Sequence, residues 1–74
     1  MGTPLSRKRK ILWMKTKIEE FFSIYPNNPI DKKKLLAEFA LEFNATGRTA
    51  REILDMLEKT MPIQIKDNEI RIWQ

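Results

Sequence analysis

Apolar residues recur along the first third of the chain at helical intervals. Ile11, Met14, Ile18, Phe21, Phe22 and Tyr25 fall on one face of a helix. This predicts a first helix over residues 7–25, with Ser6 as its N-cap. Met1 to Leu5, ahead of that cap, are expected to be disordered. Pro26-Asn27-Asn28-Pro29 stops the pattern with two prolines and two turn-forming asparagines. A second helix then starts at Asp31, whose carboxylate can accept a free backbone N–H and complements the helix dipole. Ile30 and Leu35 flank that cap at the spacing of a hydrophobic staple. Leu36, Phe39, Ala40 and Phe43 continue the buried stripe.

Asn44 ends the second helix, because asparagine tolerates the left-handed conformation. Thr46 caps a third helix running to about Thr60. Ala50, Ile53, Leu54 and Leu57 face inward at helical spacing. Arg48, Glu52, Asp55 and Lys59 lie opposite, with Arg51 on a flank. Pro62 forbids continuation. The period then switches to two: Ile63-Gln64-Ile65-Lys66 alternates, and so does Glu69-Ile70-Arg71-Ile72-Trp73. Asp67-Asn68 between them suits a two-residue hairpin turn. In that register Lys66 faces Glu69, Ile65 faces Ile70, Gln64 faces Arg71 and Ile63 faces Ile72. All four isoleucines then share one face of the hairpin.

The predicted fold is mostly α with a small β-hairpin, three helices followed by two strands. Within it, Phe39-Ala-Leu-Glu-Phe-Asn-Ala-Thr-Gly-Arg-Thr-Ala-Arg-Glu-Ile-Leu54 resembles the helix-turn-helix of the winged-helix DNA-binding family. Ala40 is small where two helices approach. Asn44 stands where the family usually has glycine. Ala45 plugs the gap between the helices, Thr46 is the usual hydroxyl cap, and Ala50 and Ile53 face the core. The departures are Asn44 for glycine and Ala45 and Ala50 for the commoner valine. The resemblance covers residues 11–73, and the chain is similar to small stand-alone regulators of archaea and their viruses or plasmids. It implies a winged helix whose third helix enters the major groove of duplex DNA. Arg48, Thr49 and Arg51 would then approach base edges, an arginine pairing with guanine for roughly 1–3 kcal/mol of discrimination. Thr46 and Gly47 would meet phosphate at the helix N-terminus.

Charge refines this picture. Arg7, Lys8, Arg9, Lys10, Lys15 and Lys17 stand in the first 17 residues without an acid, while the rest of the chain holds eight basic and ten acidic residues. Residues 1–10 are therefore expected to be a flexible basic arm touching phosphate, and residues 11–74 the DNA-binding domain. The third helix has no net charge, because Glu52, Asp55 and Glu58 match Arg48, Arg51 and Lys59. Arg48 in particular can pair with Glu52 four residues on. Affinity must come from elsewhere. Lys32, Lys33 and Lys34 oppose the dipole of the second helix, a placement that backbone contacts would explain. Lys66 and Arg71 on the hairpin could reach DNA, or be held by their cross-strand partners Glu69 and Gln64.

Trp13 and Leu12 fall outside the stripe of the first helix. Two readings stand for Trp13: a homodimer surface shared with Leu12, or packing against the C-terminal strand near Trp73. The chain has no cysteine and no histidine, which removes thiolate metal sites, disulfides and the commonest general base. No glycine-rich phosphate loop or paired-carboxylate cleft is evident, so no enzyme, cofactor or small-molecule ligand is expected. No apolar run approaches the roughly 20 residues that span a bilayer, and an intracellular protein is expected. The functional expectation is sequence-preferring duplex DNA binding in transcription regulation. The alternative is a winged helix that binds protein within a DNA-processing or other complex.

Overall fold

The computed structural model describes residues 4–73, with side chains from Arg7 onward. Six elements follow in order: α1 (Pro4–Ile24), β1 (Ile30–Asp31), α2 (Lys32–Phe43), α3 (Gly47–Thr60), β2 (Ile63–Lys66) and β3 (Glu69–Ile72). The first helix begins earlier than its sequence pattern suggests. Proline is at home in a first helical turn, where its fixed φ fits and no N–H is needed. Leu5 and Ser6 therefore lie within α1, and Ser6 is not its N-cap. The expectation of disorder over residues 1–3 falls outside the described residues. At the other end Tyr25 closes the last turn, its N–H donating to the Phe21 carbonyl at 2.7 Å. Its ring leaves the core and is half exposed, a departure from the predicted stripe.

The caps around α2 and α3 form as the sequence predicts. Asp31 accepts the Lys34 N–H at 3.3 Å, and Ile30 and Leu35 are both buried beside it. Asn44 adopts φ 50°, ψ 43° and donates its N–H to the Ala40 carbonyl. A β-branched residue would be strained in that conformation. Two residues later Thr46 is extended and accepts the Thr49 N–H at 3.3 Å, opening α3.

The hairpin has the expected register throughout, from Ile63 opposite Ile72 to Lys66 opposite Glu69. It is, however, part of a three-stranded antiparallel sheet of order β1-β3-β2, not a free pair of strands. Ile30 faces Ile70 and Asp31 faces Glu69. Two further bonds tie the turn to the start of α2: the Lys32 N–H donates to the Asn68 carbonyl at 2.9 Å, and the Asn68 amide donates to Asp31 at 3.0 Å. On the other edge of the sheet, the Ile65 N–H donates to the Glu58 carboxylate of α3 at 3.1 Å.

Side chains from every element meet in one core, centred on Met14, Ile18, Phe39, Leu54, Ile63 and Ile70, with no polar side chain buried among the described residues. The backbone of α1 lies close to α3, whereas its approach to α2 runs through aromatic rings. Trp13 meets Phe39 and Phe43 edge-on, with ring centroids 5.7 and 5.8 Å away. Trp13 thereby departs from one of its two sequence readings, the one that packed it against the C-terminal strand. It packs on its own domain, and it does so against α2 and not near Trp73. A single apolar stripe suits a helix with one neighbour, and α1 has two. Leu12, one residue earlier, is 63% exposed.

Candidate nucleic-acid interface

The first turn of α3 carries the expected base-reading residues. Arg48 and Arg51 are exposed. Arg48 forms the anticipated pair with Glu52, its Nε 3.5 Å from the carboxylate, and the Arg48 side chain remains 88% exposed. Such a pair is worth about 0.3–0.5 kcal/mol and is readily exchanged for another partner. Arg51 has no ion pair among the described residues. Thr49 is less available: it is half-buried, and both its N–H and its hydroxyl, 3.3 Å from the Thr46 hydroxyl, turn to the cap. Gly47 opens the helix without a positive φ. A Cβ built on it would meet nothing within 4 Å. Neither backbone conformation nor internal packing therefore requires glycine there.

The basic residues separate into two groups at opposite ends of the molecule. Trp13 packs on the second half of α2, while Phe21, Ile24 and Tyr25 share a hollow with Ile30, Asp31 and Lys34. The two helices thus run antiparallel. Arg7, Lys8, Arg9 and Lys10 continue α1 without a break. They stand at the end where α2 finishes and α3 begins, and Arg9 lines a hollow with Glu42 and Phe43. Consecutive helical positions are spaced about 100° apart in azimuth, so these four cations surround the helix as a collar.

Lys32, Lys33 and Lys34 occupy the other end of α2, about 18 Å away along a 12-residue helix. None has an ion pair among the described residues. The bonds between Lys32, Asp31 and Asn68 bring the hairpin turn, and with it Lys66, to this same end. The role of Asn68 was invisible in the sequence, since it lies 37 positions from Asp31. The expected cross-strand pair of Lys66 with Glu69 does not form. Glu69 instead holds Arg71, two residues along its own strand, at 3.0 Å. Both point to the same side of β3, where alternate residues share a face. Lys66 is left unpaired among the described residues, and Arg71 is engaged.

Among the described residues no cluster of acidic side chains could hold a metal ion, and no helix is long and apolar enough to cross a membrane. The chain matches no family model, no curated protein and no solved structure.

Proposed function

We propose that this protein is a winged-helix DNA-binding protein that reads duplex DNA with the first turn of α3 and regulates transcription. The observation that carries the reading is the composition of that turn. A glycine that neither packing nor backbone requires adjoins two exposed arginines at a capped helix N-terminus. The open space at Gly47 lets a phosphate approach the unpaired N–H groups of the first turn. Arg48 and Arg51 are then the residues that meet base edges.

The two basic groups support the same docking. They are separated by about the length of α2, ~18 Å, somewhat more than the roughly 12 Å width of the major groove. With α3 in the groove, Lys32–Lys34 and Lys66 meet one flanking strand and the collar of α1 approaches the other. Phosphate contacts fix the register, and the arginines supply preference.

The neutral α3 and the Arg48–Glu52 pair favour a second reading, a winged helix that binds a protein partner in a DNA-processing or other complex. One titration separates the two. Fluorescence anisotropy with a random duplex, repeated over a salt series, should give an affinity that falls linearly in log–log form. Replacing Lys32, Lys33 and Lys34 together by alanine should flatten the slope by about 0.9 for each phosphate that is no longer neutralised. Absence of binding at low salt, with the fold intact by circular dichroism, would reject the DNA reading in favour of the protein partner.

A further inference from the structure

Apart from Arg9 of the collar, the hollow beside Trp13 plays no part in DNA binding as proposed. It is open and about 490 Å³ in volume, and α1 contributes Arg9, Leu12, Trp13, Thr16, Lys17 and Glu20 to its lining. These six residues form a single stripe over three turns of helix. Leu12 is mostly exposed. Arg9 and Glu20 are exposed, and neither has an ion pair among the described residues.

We infer that this stripe is the contact between two copies of the chain, packed with their α1 helices antiparallel about a two-fold axis. The argument is the order of the residues. In one antiparallel register every member of the stripe meets another member. Arg9 faces the partner's Glu20 at each end of the contact. Leu12 faces the partner's Lys17, whose methylene stem can cover it. Trp13 faces the partner's Thr16, a small residue opposite the largest ring. A two-fold interface must be complementary to itself, and this stripe is so in charge and in size.

The occupant follows from the same charges. The hollow is lined by two basic side chains, Arg9 and Lys17, and two acidic ones, Glu20 and Glu42, so it attracts neither a polyanion nor a strongly charged peptide. Along α1 the cations lie toward the N-terminal end and middle, with Glu20 at the C-terminal end, so a parallel copy would oppose like charges. Only reversal of the helix brings Arg9 to Glu20. Trp13 is already anchored by Phe39 and Phe43, and Lys17 sits 5.5 Å from its ring centre. The centre of the contact is thereby preformed on each copy. Arg9 then belongs to the dimer, leaving Arg7, Lys8 and Lys10 of the collar for phosphate.

Sedimentation equilibrium of the whole chain without DNA tests the contact, and its outcome is independent of whether DNA is bound. The wild type should show a concentration-dependent monomer–dimer equilibrium. Arg9→Glu and Glu20→Arg should each weaken it by about tenfold or more, since each reversal creates two repulsive pairs by symmetry. The double variant, Arg9→Glu with Glu20→Arg, should regain most of the affinity. Both positions are exposed, and thermal melts should confirm that the variants fold. A monomer at every concentration up to the millimolar range would overturn the inference. So would a dimer indifferent to the single reversals, or a double variant no better than either single.

Discussion

Asp31 holds three parts of the molecule together, and its removal has effects of opposite sign on stability and on DNA affinity. Its carboxylate caps α2 through the Lys34 N–H and accepts the Asn68 amide, at 3.3 and 3.0 Å. Loss of an N-cap costs about 1 kcal/mol, and loss of a side-chain hydrogen bond about 0.5–1.5 kcal/mol. No acid follows in the first turn of α2 to take over the dipole, and three lysines oppose it. Asp31→Ala should therefore destabilise the fold by about 1.5–2.5 kcal/mol. For a domain of this size that is a fall of about 6–20 °C in the melting temperature. Asp31→Asn keeps a good capping side chain and should lose less than half as much. Asn68→Ala removes only the link to the turn, at about 0.5–1.5 kcal/mol. Urea unfolding followed by circular dichroism measures all three, and the double variant Asp31→Ala with Asn68→Ala should cost less than the sum of the singles. Measured below the melting range, Asp31→Ala should bind a random duplex more tightly than the wild type, because it removes a negative charge adjacent in sequence to Lys32–Lys34. A destabilisation below about 0.5 kcal/mol, or strict additivity in the double variant, would refute the linkage.

Two further outcomes follow from the rings and from the arginine pair. Trp13→Ala should destabilise the monomer by about 2–3 kcal/mol, because it strips two edge-on partners from a half-buried indole; thermal melts of dilute protein give the number, and an unchanged melt would return Trp13 to the surface. Glu52→Ala should leave stability within about 0.5 kcal/mol yet tighten DNA binding by freeing Arg48, while Arg48→Ala should lose roughly 1–3 kcal/mol at one base position; anisotropy across a set of single-base operator variants checks both.

The hairpin was legible from sequence because two independent signals had to agree. A two-residue turn fixes the register, and the alternation of four isoleucines accepts only that register. The caps at Asp31, Asn44 and Thr46 were legible because each is a local bond within a few residues. What escaped the sequence was set by distant partners. β1 is two residues long, too short for alternation to register, and exists because Ile30 finds the free edge of Ile70. The position of Trp13 escaped because a helical stripe shows the width of the buried face only when the number of neighbours is known. The pairing of Arg71 with Glu69 depended on which of two cations, one cross-strand and one along the strand, reached the same carboxylate. The arginines and lysines expected at bases and phosphates were readable as surface cations, but the division of the lysines and the arm between two ends of α2 required the antiparallel course of α1.

The bond from Ile65 to Glu58 has a consequence for solubility. A sheet of three short strands leaves β2 as an open edge, and an open edge is a template on which a second chain can add a strand and begin a fibre. By occupying the outward N–H of Ile65, in the middle of that edge, the helix denies an incoming strand one of its hydrogen bonds and sets a negative charge in its path. The opposite edge, at β1, is too short to offer more than a foothold. With the Ile63 N–H also turned back to the Met61 carbonyl, the open edge of this isoleucine-rich sheet is a poor template for a second strand.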